Sequence, residues 1–367
     1  MTGARRDGAM RFALVGCGVI APTHARALRQ LAGRAELVAC SDVVPSRATA
    51  LAEEFGLEAV DYHDALADPT IDAVVVCTPN GRHAEVGVAA LRAGKHVMVE
   101  KPMEITVEAC DRLLDAQRES GAFLGVISQH RFDPAAQLVK EAVDAGDLGR
   151  LVVADCRVPW FRTQEYYDSG DWRGTWSVDG GGALMNQGVH TLDLLLWTCG
   201  PVRTVQAQVA TVAHERIEVE DVVCATVVLA NGALATVMAS TSAYPGFPAR
   251  LTVHGTTGSA VIDGDRLVTL SVAGRQTIGG EGANAHALQV ATGGTRAATT
   301  AVDESSAGEV GGWGEAHRRQ LLEFVDAVEH GRSPLVDGLD GRRAVELVEA
   351  VYESARTGEL VTLRHHA

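Results

Sequence analysis

Arg11-Phe12-Ala13-Leu14-Val15-Gly16-Cys17-Gly18-Val19-Ile20-Ala21 is an apolar run that breaks into glycine and then opens an amphipathic stretch. The five residues before Gly16 read as a short buried strand, and Val19–Leu31 has helical spacing. The turn between them is G-x-G-x-x-A. Its first glycine permits a tight turn, and its second lets the backbone approach a pyrophosphate. Ala21 is small enough for close helix–strand packing. The helix start then offers unpaired N–H groups and a positive dipole end to phosphate.

Alternation of strand and helix continues outward from this turn. Strands are expected at Glu36–Cys40, Ala73–Cys77, His96–Val99 and Phe123–Ile127. Helices are expected at Ser46–Phe55, His83–Ala93 and Val107–Glu119. Continuous apolar strands separated by amphipathic helices imply a parallel sheet covered on both faces. Asp42 ends the second strand, where an acid accepts hydrogen bonds from the ribose hydroxyls of a dinucleotide. A carboxylate there repels a 2′-phosphate, so NAD is expected over NADP. Arg47 lies nearby and offsets part of that repulsion. Thr78-Pro79-Asn80, with His83 behind it, and Glu100-Lys101-Pro102 follow two later strands. Loops on that edge of an open α/β sheet border the ligand. Asn80 is also placed to cap the helix bearing His83.

The pattern changes after about Ser128. A helix is expected over Asp133–Ala145, with Asp133 as its cap and Gly146 as its stop. Strands then predominate: Leu151–Val158, Val202–Val212, Asp221–Leu229, Ala233–Ser240, Arg250–His254 and Ser259–Asp263. Short turns such as Ala230-Asn231-Gly232 mark hairpins and a mainly antiparallel sheet. One helix, about Ala183–Thr198, interrupts it, and helices near Glu315–His330 and Gly341–Thr357 close the chain. The expected division is residues 1–129 and 130–367. Residues 1–9 read as a disordered leader with Met10 as an alternative start, and 273–312 as a long mobile loop.

Composition narrows the partners. The 367 residues suggest two domains. The net charge of −15 repels phosphate backbones and anionic membranes, so nucleic acid is not expected. No segment has the roughly 18 apolar residues that a membrane helix needs. Seven cysteines without two-residue pairing read as reduced thiols of a cytoplasmic protein, with no metal-ligand set.

The second half holds Gly180-Gly181-Gly182-Ala183-Leu184-Met185-Asn186-Gln187-Gly188-Val189-His190-Thr191-Leu192-Asp193. Asn186 and His190 stand four apart, so they share one helix face. Asp193 is placed to accept the second N–H of the imidazole. Upstream, Trp160-Phe161-Arg162, Tyr166-Tyr167 and Trp172-Arg173 are dense in aromatics and arginine. Aromatics stack on sugar C–H faces, and arginine binds hydroxyl, carboxylate or phosphate. Packing at a sheet edge is the plainer reading of the same residues. Gln129, His130 and Arg131 leave the last strand of the first half and are also candidates to reach substrate.

In this order and spacing, the glycine turn, T-P-N with His83, E-K-P, and G-G-G-x-L-x-N-x-G-x-H-x-x-D resemble the Gfo/Idh/MocA family, the glucose–fructose oxidoreductase and inositol dehydrogenase relatives. The resemblance covers nearly the whole chain. It implies a Rossmann domain followed by an α+β domain with a large, mostly antiparallel sheet. It also implies a dimer or tetramer, and a catalytic lysine and histidine at Lys101 and His190. Many members carry Asp four residues before the histidine, where this chain has Asn186. An amide hydrogen-bonds a hydroxyl but relays no proton. Asn at this position is similar to members acting on nucleotide sugars and on other sugars at C3.

The expected activity is therefore NAD-dependent oxidation of a ring secondary alcohol in a sugar, sugar derivative or cyclitol. The expected cofactor contacts are Gly16, Gly18, Val19, Ile20, Asp42, Thr78, Asn80, His83, Glu100 and Lys101. The expected substrate contacts are Asn186, Arg162, Tyr166, Trp172, Gln129 and Arg131. Alternatives are a glycosidase that uses NAD transiently and a non-catalytic NAD(H) sensor. The joint presence of Lys101 and His190 weighs against the sensor.

Overall fold

The computed structural model describes residues 8–275, 277–279, 299–300 and 314–363. The expected leader and the expected 273–312 loop lie largely outside these residues. The described chain divides into two compact units. One takes the residues up to Gln129, Thr175–Gly180 and 314–345; the other takes His130–Gly174, the described residues from Gly181 to 300, and those after Val345.

The first unit is built on a six-stranded sheet of order β3-β2-β1-β4-β5-β6, parallel throughout. Its strands are β1 (Met10–Val15), β2 (Ala35–Ser41), β3 (Glu58–Ala59), β4 (Ala73–Val76), β5 (His96–Val99) and β6 (Leu124–Val126). Helices α1 (Ala21–Arg29), α2 (Pro45–Phe55), α3 (Tyr62–Ala67), α4 (His83–Arg92) and α5 (Val107–Ser120) alternate with them. Every residue of β4 is buried, as the unbroken Ala-Val-Val-Val run requires of a strand covered on two faces. Phe12, Leu14, Leu28, Val75 and Met98 fill one core with Phe324 of the helix Gly314–Glu329. Each such side chain contributes about 1.5–3 kcal/mol through burial. Thr106 caps α5 by accepting from Ala109 N, and Gly121 ends it at φ 69°.

The second unit carries a ten-stranded sheet. Its elements are α6 (Pro134–Asp144), β7 (Leu151–Pro159), α7 (Gln164–Asp168), a π-helical turn Ala183–Gly188, α8 (Val189–Cys199), β8 (Val202–Ala210), β9 (Val222–Leu229), β10 (Leu234–Ser240), β11 (Arg250–Gly255), β12 (Gly258–Asp263), β13 (Arg266–Val272), β14 (Thr277–Gly279) and β15 (Thr299–Thr300). Helices α9 (Gly314–Glu329) and α10 (Gly338–Thr357) and strand β16 (Val361–Thr362) complete the chain.

The order is β15-β14-β13-β12-β11-β7-β10-β9-β8-β16. Most pairs are antiparallel, but β7 and β10 run parallel at the centre, with Val153 opposite Leu234. In β9 burial alternates along the strand, as a sheet with one covered face requires. Asn231 fixes the expected hairpin turn by accepting from Ala233 N (3.0 Å), and Gly232 sits at φ 87°.

Three local expectations change. The expected single helix at Ala183–Thr198 begins as the π turn. Asp133 stands at the start of α6 without capping it, because its carboxylate bonds His130 Nδ1 at 2.7 Å. Strands β3, β13, β14, β15 and β16 and helices α3 and α7 lie outside the expected elements; β13 has seven residues and the others six or fewer. All seven cysteines are free. No helix among the described residues is long and apolar enough to cross a membrane.

Candidate active site

In the first unit, Gly16 has φ 98°, and a Cβ there would lie 2.6 Å from the Cys77 carbonyl. Only glycine lets β1 turn this close to the end of β4. Asp42 Oδ2 accepts from Cys17 N (2.7 Å) and Oδ1 from Val44 N (2.8 Å). The strand-end carboxylate is thereby fixed beside the glycine turn. Helix α1 starts at Ile20 with no side-chain cap, and a Cβ on Gly18 would meet nothing within 4 Å. Val19 is 91% exposed and Val43 99% exposed.

Thr78 Oγ1 is buried with no hydrogen-bond partner, as is Gln129 Oε1. An orphan buried hydroxyl beside an uncapped helix start and an open glycine is what a dinucleotide would satisfy. These residues fit a nicotinamide dinucleotide, for which Gly18, Val19 and Ile20 would border the pyrophosphate and Asp42 the ribose, with Thr78 on the same edge.

Three other expected cofactor residues are engaged within the protein. Asn80 does not cap α4; its Nδ2 donates to Asp179 O (2.9 Å) and Asp179 Oδ1 (3.2 Å). His83 is buried, with Nδ1 2.8 Å from Pro102 O and Nε2 2.9 Å from Thr78 O. It therefore ties the T-P-N loop to the E-K-P loop. Burial lowers its pKa against the pull of those two carbonyls. Glu100 Oε1 lies 2.6 Å from His24 Nε2, Glu100 Oε2 accepts from Lys101 N (3.1 Å), and His317 Nε2 lies 4.0 Å from Oε1. Burial alone would raise the Glu100 pKa. The His24 hydrogen bond and the charges of His24, His317 and Lys101 outweigh it and hold the pKa down at about 2. An anionic Glu100 thus anchors the backbone of half-buried Lys101, and the Lys101–Pro102 peptide is cis.

In the second unit, Gly182 of the triple glycine packs directly on the backbone of Glu220. A Cβ on Gly182 would lie 1.8 Å from the Glu220 carbonyl oxygen. Glu220, which sequence reading missed, is buried beneath this turn. Its carboxylate accepts from Gly182 N (2.9 Å), Leu184 N (2.9 Å) and Tyr352 Oη (3.0 Å). Burial raises its pKa to about 7, against those hydrogen bonds. An Asn186 Nδ2 bond to Gly181 O (2.8 Å) holds the amide near the same turn.

From Gly181 to Leu195, Asn186 and His190 are the only residues not buried. The π turn keeps both accessible although it breaks the α-helical period between them, and π turns recur at functional sites. The His130 ring meets His190 edge-on, with centroids 5.3 Å apart. Asp193 receives Arg131 through Nε (2.7 Å) and NH2 (2.6 Å). Arg131 is 2% exposed and also stacks on Trp197. The arginine read as a substrate contact is thus held inside the fold by the acid read as the partner of His190.

Gln187 Oε1 accepts from Arg162 NH2 (2.9 Å), and its amide donates to Tyr166 Oη (3.2 Å). Arg173 NH1 also donates to Tyr166 Oη (2.9 Å) and lies over Trp172. Arg162, Tyr166 and Trp172 therefore belong to one stacked cluster, linked through Gln187 to the turn that carries Asn186.

Comparison with known proteins agrees with this architecture. Residues 10–128 match the oxidoreductase family with NAD-binding Rossmann fold, and residues 136–261 match the GFO/IDH/MocA C-terminal domain. The WlbA dehydrogenase of Bordetella pertussis, solved with NADH and UDP-GlcNAcA, is 32% identical. The match covers 98% of this chain and 100% of that one, with a TM-score of 0.83. The inositol 2-dehydrogenase of Rhizobium meliloti is 29% identical over 94% of this chain and 96% of its own length. The levoglucosan dehydrogenase of Pseudarthrobacter phenanthrenivorans is 31% identical over 60% of this chain and 63% of its own length. With a Rossmann turn, an E-K-P loop and a glycine-led helix in one chain, and both domains matched, the protein belongs to the Gfo/Idh/MocA family of NAD-binding oxidoreductases.

Proposed function

We propose that this chain is an NAD-preferring dehydrogenase that oxidises a ring secondary alcohol of a sugar, sugar derivative or cyclitol to the ketone. The observation that carries the proposal is that, from Gly181 to Leu195, Asn186 and His190 alone break the burial of the glycine-led segment. Relatives named for inositol, levoglucosan and UDP-GlcNAcA support the ring-alcohol class. Bound nicotinamide would take the hydride from the alcohol carbon. His190 takes the hydroxyl proton, since imidazole titrates near operating pH. Lys101 donates a hydrogen bond to the same oxygen and stabilises its developing charge. Asn186 hydrogen-bonds a neighbouring hydroxyl without exchanging a proton.

Asp42 supports NAD over NADP, and Arg47, exposed and beyond the fixed carboxylate, does not reverse that preference. Gln129 Oε1, buried and unpartnered, remains a proposed ligand contact. Arg131 acts as a positioning residue through Asp193. The outer sheet face exposes Val152, Val153 and Leu234. This supports the homodimer or homotetramer that the resemblance implies, which light scattering would read.

The test is a screen of the full chain with NAD and with NADP against cyclitols, free sugars, glycosides and nucleotide sugars. Reduced nicotinamide formed with one ring-alcohol class, faster with NAD, is the expected result. Glycoside cleavage without accumulation of reduced nicotinamide, or no turnover with any of them, would overturn the proposal.

A further inference from the structure

We infer that the substrate carries an anionic group, a carboxylate or a phosphate, and that Arg162 and Arg173 receive it. The inference rests on the dehydrogenase reading above and sharpens its substrate class.

Acid outnumbers base in this chain by 15 charges, and many arginines sit on carboxylates, Arg34, Arg216, Arg250, Arg318 and Arg332 among them. Others without an acidic partner among the described residues, such as Arg29, Arg47 and Arg203, are exposed. Arg162 and Arg173 differ from both groups. Among the described residues, neither has an acidic side chain within ion-pair distance. The side-chain hydrogen bonds of Arg162 go to Phe161 O (3.1 Å) and Gln187 Oε1 (2.9 Å). Arg173 makes one, to Tyr166 Oη (2.9 Å). Both are half-buried, and both stack on the Tyr166 ring, at 5.5 and 4.5 Å from its centroid.

Two cations gathered on one aromatic ring repel each other. Partial burial without a counter-ion adds a desolvation cost. Stacking offsets only part of it. An incoming anion offsets the rest, and a guanidinium has five N–H donors in a fork matched to carboxylate or phosphate. Arg162 holds Gln187, the residue after Asn186, so the anion would be received on the cluster tied to the turn carrying the ring-binding amide. The global negative field opposes anions at long range, so recognition falls to this local pair.

The pair is tested by equilibrium titration of the full, NAD-saturated chain with D-glucose, D-glucuronate, glucose 6-phosphate and UDP-glucose. At least one anionic ligand is expected to bind roughly tenfold or more tightly than glucose, with the preference shrinking as salt rises. Glucuronate against glucose 6-phosphate and UDP-glucose separates carboxylate from phosphate. Arg162→Gln and Arg173→Gln are each expected to weaken the preferred anionic ligand roughly 10- to 100-fold and glucose by a much smaller factor. Arg→Lys, which keeps charge but not the fork, is expected to restore part of the loss. Equal binding of glucose and the anions, or equal loss of both in the variants, overturns the inference and assigns the arginines to holding Tyr166. Reduced nicotinamide is read in the same samples. An anion preference with no turnover on any ring alcohol overturns the dehydrogenase reading alone, and turnover without the preference overturns this inference alone.

Discussion

Asp193 and Arg131 form a buried two-pronged ion pair, both carboxylate oxygens meeting one guanidinium at 2.6 and 2.7 Å. Removing one partner leaves an uncompensated buried charge, which costs about 3–5 kcal/mol. Arg131→Met and Asp193→Leu are each expected to lower the unfolding free energy by that order, read from denaturant titration. The double variant is expected to recover much of the loss, because neither charge is then stranded. A double variant no more stable than the worse single one would show that the pair does not act as a unit.

Gly182→Ala sets a methyl group against the Glu220 carbonyl, which leaves no room for it. The glycine turn must shift, and overpacking of this kind costs about 1–3 kcal/mol. Turnover should fall by more than the loss of folded protein, while NAD affinity is kept. A variant with parental kcat would separate this turn from catalysis.

Glu220 and Glu100 pull the stability profile in opposite directions. Glu220 is raised from 4.5 to about 7, so the folded chain holds a proton that the unfolded chain has lost between those values. Stability contributed there is present below pH 4.5 and lost as pH rises towards 7, by about 3 kcal/mol. Glu100 is lowered from 4.5 to about 2. Its contribution is present above pH 4.5 and lost as pH falls towards 2, again by about 3 kcal/mol. Glu220→Gln should flatten the decline between pH 4.5 and 7. Glu100→Gln should destabilise at neutral pH and flatten the acid limb. Profiles that keep the parental slopes in both variants would contradict the assignments.

Asp42→Ser removes the fixed carboxylate beside the glycine turn. The kcat/KM ratio of NAD to NADP is expected to fall roughly tenfold or more, mainly through better use of NADP. An unchanged ratio would place cofactor choice elsewhere.

Much of the frame was legible because buried parallel strands are written as unbroken apolar runs. Ala73–Val76 and His96–Val99 could be placed almost residue by residue. The parallel pairing of β7 with β10 was not legible, because some 75 residues and several alternative partners separate the strands. The π turn at Ala183–Gly188 carries the same residue types as an α-helix, and periodicity does not distinguish them.

At the candidate site, residue type and edge position pointed to Asp42, Lys101, Asn186 and His190. The same signals also pointed to Asn80, His83 and Arg131, whose polar atoms the fold uses to join its own segments. Glu220 gave no warning. One acid in the run Glu218-Val219-Glu220-Asp221 before a strand looks like a surface residue until Gly182, Leu184 and Tyr352 close over it.

Under the proposed function, Lys101 and His190 handle the alcohol oxygen and its proton, and cofactor affinity does not depend on them. Single-turnover formation of reduced nicotinamide, with NAD affinity measured in parallel, reads it directly in Lys101→Ala and His190→Ala. Losses of roughly 10²–10⁴-fold in rate with NAD affinity nearly unchanged are expected. A parental rate in either variant, or a rate loss that follows a loss of NAD binding, would contradict it.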